Sequence, residues 1–329
     1  MNSRAVIWLL ITLLAVVSLG ACAAPAPQPT TPRQAAAANP TPLKVVAVET
    51  FLADMAQNVA GDRLKVESLI PIGVDPHMFE ATPQDVVKLA QSQVLIINGA
   101  GFETWLEDVL ENAGGQRAVI TASAGLIARQ REGGETAHEE EETAEEGDSH
   151  GHHDQDPHFW LDPIAAIKYV ENIRDGLSAQ DPAGRETYAA NAEAYIAELK
   201  DLHQWILEQV ATIPPERRLL VTNHESFGYF ADRYGFTVVG TVIPGVSTGA
   251  SPSAQEMAAL VEHIREAGAV AIFLETGSNP QLARQITHET GVRVVTELFT
   301  HSITDASGPA PTYIEMMRHN VRTIVASLK

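Results

Sequence analysis

Residues 43–71 read LKVVAVETFLADMAQNVAGDRLKVESLIP, and this stretch decides the fold. It opens on a β-type run at 43–49 (LKVVAVE), continues as a helical pattern at about 50–60, and closes on a second β-type run at 65–71 (KVESLIP). Short apolar strands alternating with amphipathic helices predict a parallel sheet with helices on its faces. The rhythm continues outward with strands at 94–99 (VLIING) and 118–122 (AVITA) and helices at 83–92 and 103–113. Thr82-Pro83-Gln84-Asp85 supplies a capping residue, a proline at the first helical position and an acid in the first turn.

The second half repeats the pattern. Strands are expected at 218–222, 237–243, 270–275 and 292–298, with helices at 226–234, 253–267, 280–290 and 312–328. Between the halves, residues 184–211 contain no proline and only their first residue is glycine. They predict one helix of about 42 Å, stopped by Pro214-Pro215. The expected architecture is α/β: two parallel-sheet domains, 43–183 and 212–329, bridged by a single long rigid helix at 184–211. A stiff helix in place of a loop hinge implies small motions between the domains.

The 329 residues suffice for about two domains. With 45% apolar residues, the chain has the material for a substantial core. Acids outnumber bases 42 to 22, a net charge of −20 that repels phosphate backbones and excludes nucleic acid as an expected partner. The single cysteine, Cys22, allows no internal disulfide and no Cys-rich metal cluster. It sits behind an apolar run from Ala5 to Leu19 that is too short to span a bilayer and reads as a secretory signal. Leu19-Gly20-Ala21-Cys22 resembles a bacterial lipobox, so residues 1–22 are expected to end in a lipidated Cys22. Residues 23–42, rich in Pro, Ala and Thr, read as a flexible tether. The mature protein is expected outside the cytoplasm, anchored to a membrane by lipid.

The 12 histidines fall into separate groups. His138, His150, His152 and His153 lie in the acidic insert 132–156 (EGGETAHEEEETAEEGDSHGHHDQD), which has no Lys or Arg and predicts disorder. The insert reads either as a solubilising loop or as a weak metal-gathering tract, and imidazole beside carboxylate favours the latter. His77, in Gly73-Val74-Asp75-Pro76-His77, follows the second strand. His224, in Thr222-Asn223-His224-Glu225, and His301, in Phe299-Thr300-His301-Ser302, follow the first and last strands of the second half. His158, in Asp156-Pro157-His158-Phe159-Trp160-Leu161-Asp162-Pro163, follows the fourth strand through the insert. Open α/β sheets bind ligands beyond the carboxyl ends of their strands, so two histidines per half are expected to converge between the domains. His203, His263, His288 and His319 fall within helical segments and read as ordinary solvated or packed residues.

Together these segments resemble the metal-binding lipoproteins of bacterial zinc and manganese ABC importers, the cluster A-I (cluster 9) solute-binding proteins. The resemblance rests on the lipobox, GVDPHMFEATPQD at 73–85, DPHFWLDP at 156–163, NHESFGYFADRYG at 223–235 and the FTHS segment with its helix. It implies a pair of α/β domains bridged by a long helix, a metal held between them, and a membrane permease as partner to a monomeric receptor. By motif, the family's first three ligands fall on His77, His158 and His224. The fourth, commonly Asp in the family, falls on His301, so either this histidine ligates or Glu225, Glu275, Glu297 or water completes the shell. The acidic, His-rich insert resembles the zinc-specific branch. Imidazole suits zinc and oxygen suits manganese, so Zn2+ is the expected cargo and Mn2+ the less expected one, although copper and nickel also favour imidazole. Asp75, Asp156, Glu225, Glu275 and Glu297 are the carboxylates available to orient the rings.

Two other classes are weaker. A zinc hydrolase would use Glu225 as base and keep a coordination position open, but no HExxH, phosphate loop or nucleophile elbow is present. An adhesin or metal-storage lipoprotein would carry the same site without a permease. The expected role is a receptor without catalytic activity.

Overall fold

The computed structural model describes residues 43–129 and 155–329. The leader 1–22 with Cys22, the tether 23–42, and the insert up to residue 154 with His138, His150, His152 and His153 lie outside these residues. Two four-stranded parallel sheets form the frame. The first contains β1 (Val45–Ala47), β2 (Val66–Ser68), β3 (Val94–Ile97) and β4 (Ala118–Thr121) in the order β2-β1-β3-β4. The second contains β5 (Leu219–Thr222), β6 (Thr237–Thr241), β7 (Ala271–Glu275) and β8 (Arg293–Leu298) in the order β6-β5-β7-β8. In each sheet the chain reverses its direction of travel at the first strand, which opens a crevice at the carboxyl ends there.

Helices α1 (Thr50–Ala60), α2 (Pro83–Gln91) and α3 (Leu106–Ala113) belong to the first sheet; α6 (Gly228–Tyr234), α7 (Ala254–Ala267), α8 (Gln281–Thr290) and α9 (Tyr313–Leu328) belong to the second. Helix α2 starts with the expected box: Thr82 Oγ1 accepts from Asp85 N while the Asp85 carboxylate accepts from Thr82 N. Ser253 and Glu256 do the same for α7.

One long helix, α4 (Pro163–Gln180), is absent from the sequence reading. Its buried positions Ala166, Tyr169, Val170, Ile173 and Leu177 have helical spacing, and Asp162 caps it by accepting from Ile164 N at 2.9 Å. Gly176 accounts for the omission. A glycine inside a helix weakens the local signal, yet here a Cβ would meet Ile120 Cδ1 at 2.4 Å. Glycine is what lets α4 lie so close to β4.

A turn at Pro182–Gly184 leads into α5 (Arg185–Val210), whose 26 residues span about 39 Å. Tyr188, Ala192, Tyr195, Leu199, Leu202 and Ile206 form a buried stripe along it. The stripe belongs to one continuous core that also holds Phe51 and Ile173 of the first lobe and Phe230, Tyr313 and Ile324 of the second. The linking helix is therefore part of the core. Trp160 Nε1 donates to Thr300 O at 2.7 Å and Tyr313 N donates to Asp54 Oδ2 at 2.9 Å, tying the lobes on either side of it. Smaller clusters around Leu89 and Leu95, and around Leu260 and Ile272, fill the outer faces of the two sheets. Among the described residues no helix is long and apolar enough to cross a membrane.

Replacing Gly176 with Val should destabilise the fold by about 1–3 kcal/mol, the usual cost of overpacking. Urea denaturation of the variant would read this as a lower midpoint at unchanged slope.

Candidate metal centre

Each lobe sends two histidines into the cleft, and the local sequence determines how they are aimed. In the first lobe an aspartate two residues upstream does the work. Asp75 Oδ1 accepts from His77 N at 2.9 Å, starting the short turn Pro76–Met78. Asp156 Oδ1 accepts from His158 N at 3.0 Å and also lies 2.8 Å from the ring Nδ1. In the second lobe, His224 follows β5 with its carbonyl accepting from Thr222 Oγ1 at 2.8 Å, and His301 follows β8.

The four rings meet. One ligand nitrogen from each of His77, His158, His224 and His301 lies within 4.8 Å of all the others. Centroids of every ring pair are 4.9–5.7 Å apart. His158 and His224 are fully buried, His301 is 8% exposed, and His77 is half-buried.

Carboxylates stand behind the rings. Glu275 Oε1 lies 2.7 Å from His224 Nδ1, and its Oε2 lies 3.6 Å from His301 Nδ1. With Nδ1 of His158 and His224 so engaged, their Nε2 atoms face each other at 3.2 Å. Nε2 of His77 and of His301 are buried and have no hydrogen-bond partner among the described residues. Buried nitrogens without partners cost free energy, and these two, clustered with the His158–His224 pair, make a receptacle for a cation. Asp75 lies 4.0 Å from His301 Nδ1 and accepts from Thr248 Oγ1 at 2.6 Å across the cleft. Glu225, by contrast, accepts from Gly245 N at 3.2 Å, and Glu297 is exposed on β8.

Burial disfavours a proton on most of these rings. It holds His77 down to about 3, with the charge of His224 adding to the effect, and it pushes His158 and His301 well below the ordinary imidazole value. His224 moves the other way: burial opposes its charge, but the carboxylates of Glu275, Asp75 and Asp156 together outweigh burial and raise it. Burial also pushes the Asp156 carboxyl up to about 7. Burial thus favours the neutral form of three rings, whereas the carboxylates around the fourth favour its charged form.

The sequence reading missed the wall of this pocket. Phe102, only 2% exposed, presents its ring 4.8 Å from His77, 5.8 Å from His158 and 6.0 Å from His301. The glycines around it (Gly99-Ala100-Gly101) were the available signal for a tight turn beyond β3. Beside the rings a cavity of about 590 Å³ opens between the lobes, lined among others by Asp75, Met78, Asn223, Glu275, His301 and Ile303.

A sequence model of the family ZnuA, described as zinc-uptake complex component A, periplasmic, matches residues 45–327. The chain belongs to this family. It is 35% identical over 286 residues to the manganese-binding lipoprotein MntA of Halalkalibacterium halodurans, covering 87% of this chain and 88% of the relative. It is 29% identical over 327 residues to the metal ABC transporter substrate-binding lipoprotein ScbA of Streptococcus cristatus, covering 98% of each. Among solved structures, the periplasmic zinc binding protein TroA of Treponema pallidum superimposes with a TM-score of 0.76 at 29% identity, over 88% of this chain and 99% of that one. This ZnuA-family member is an extracytoplasmic substrate-binding component of a metal ABC importer, in a family of receptors rather than enzymes.

The opposed shifts of the imidazoles are open to measurement. In histidine-resolved NMR titration of metal-free protein, His77, His158 and His301 should titrate below the usual imidazole value of about 6.5 and His224 above it. Glu275→Gln should bring His224 back down, because the stabilising charge is gone.

Proposed function

We propose that the protein captures Zn2+ between its lobes on His77, His158, His224 and His301 and delivers it to a membrane permease. The observation that carries this reading is the set of four inward nitrogens with three carboxylates, Asp75, Asp156 and Glu275, held behind them. A tetrahedral zinc–imidazole site has nitrogens about 3.3 Å apart, given Zn–N bonds of about 2.0–2.1 Å. The His158–His224 pair, at 3.2 Å, already has that spacing. The wider pairs would draw in around the ion. Four neutral ligands leave the ion's two charges uncompensated, and the carboxylates behind the rings offset them while fixing the tautomers that point Nε2 inward. A shell completed by His301 leaves no open position for water, which argues for a receptor and against hydrolysis.

Manganese is the second reading. A relative named for manganese supports it, and Glu275 is near enough to the rings to supply an oxygen ligand by turning inward. Anchoring through a lipidated Cys22 and action as a monomer complete the proposal. A metal-storage or adhesin role is the remaining alternative, distinguished by whether a permease takes up the metal.

Chelator competition with zinc and then manganese tests the reading. One tight zinc equivalent that excess manganese fails to displace is the expected result; comparable manganese binding would transfer the assignment to an oxygen-containing shell. In the same titration His224→Ala should weaken zinc by at least about 100-fold, since it removes a ligand and not merely its support. Unchanged affinity would remove His224 from the site.

The insert is proposed to gather metal weakly through His138, His150, His152 and His153, separately from the cleft. Its two ends lie side by side, with Asp156 N donating to Arg129 O at 3.3 Å. Deleting 132–155 should therefore be tolerated, lowering total zinc stoichiometry while sparing the tight site. Loss of the tight site would show that the two are one device.

A further inference from the structure

Two acidic side chains that interact with each other, Glu49 and Glu103, are not used directly by the metal site. Glu49, the residue just before α1, is fully buried, and its carboxylate oxygens have no hydrogen-bond partner among the described residues. The charge of Glu103, another carboxylate, acts on it and adds to the effect of burial. Burial pushes both groups upward, and like charge between neighbouring carboxylates disfavours ionising both.

Glu103 has a second engagement. Its two oxygens accept separately from Asn98 N and Gly99 N, the latter at 3.0 Å. These bonds close a loop in which Gly99, Ala100 and Gly101 are all left-handed, with φ of 81°, 52° and 74°. Ala100 is the single non-glycine with positive φ among the described residues. Such a backbone persists where surrounding contacts hold it. The side chain the loop presents is Phe102. Asn98 extends the same clamp: its Nδ2 donates to Pro157 O at 3.1 Å, the carbonyl just before His158, and Tyr169 Oη donates to its Oδ1.

We infer that Glu103 is a positioning residue of the metal site, pinning the left-handed turn that sets Phe102 against His77, His158 and His301. The inference rests on the cleft being a metal site. Phe102 touches the rings and Glu103 does not, so Glu103 acts through the turn.

The test uses the full chain loaded with Co2+ as a spectroscopic stand-in, alongside zinc affinity by chelator competition. Glu103→Ala should weaken zinc about 10–100-fold, as loss of a supporting partner usually does, and should alter the Co2+ d–d bands. Phe102→Ala should alter them in the same way. The double variant should lose no more than the worse single one, because both act along one path. Glu103→Gln, keeping one acceptor oxygen, should recover part of the loss. If Glu103→Ala does not fold, Glu103→Gln and Phe102→Leu carry the same comparison. An unchanged Co2+ spectrum in the folded Glu103 variants, or losses that simply add with those at Phe102, would overturn the inference. A parent protein that binds neither Co2+ nor Zn2+ would instead overturn the metal-receptor reading itself.

Discussion

Glu275 stands between two of the four imidazoles, and the second lobe's half of the cleft depends on that placement. It comes from the order of the sheet. Strand β7 lies between β5 and β8, with Thr222 beside Phe273 and Leu298 beside Glu275. A register irregularity between Phe273 and Glu275 accompanies the last pairing. The carboxylate at the end of the middle strand therefore falls between the histidine that follows one neighbour and the histidine that follows the other. One buried anion lies against one ring, faces a second and favours the charged form of the first. A buried carboxylate is tolerated when it is paired in this way, and removing a partner would leave it uncompensated.

The first lobe reaches a similar end by local means. In both Asp-Pro-His motifs the aspartate accepts the histidine's own backbone N–H, and Asp156 also engages the ring. Proline between them restricts the turn, so the geometry is encoded within three residues. This difference explains how far the site could be read from sequence. The motif histidines and their positions beyond strand ends were legible, and the structure brings all four together. Ranking the carboxylates was not. Glu275 and Glu297 both lie at the ends of predicted strands, and only strand pairing and side-chain alternation separate them: Glu297 is exposed on β8 while its neighbour Leu298 is buried. Phe102 was missed for a related reason, since its role depends on three consecutive left-handed residues that no periodicity reports.

The fold was legible to a similar depth. All eight strands and the linking helix follow from the alternation of apolar runs with amphipathic segments, with ends displaced by a few residues. The helix that went unread, α4, contacts β4 so closely that it needs Gly176, a residue that argues against a helix when only the sequence is considered. Tertiary proximity overrode local propensity at that position. The same proximity matters for the cleft, because α4 begins directly after the second Asp-Pro-His motif and Asp162, its cap, also pairs with Arg233 of α6.

On the proposed reading, the chemistry of metal choice is a matter of where negative charge is kept. The nitrogens face inward and the carboxylates Asp75, Asp156 and Glu275 stand one layer farther out. Zinc accepts such a shell, whereas manganese favours direct oxygen ligands. For Glu275 to serve manganese it would have to leave His224 and turn inward, leaving an imidazole without the charge that raises its proton affinity. For zinc the same carboxylate stays where it is, behind His224. The preference would then come less from the four nitrogens themselves than from the cost of unpairing the residue behind them.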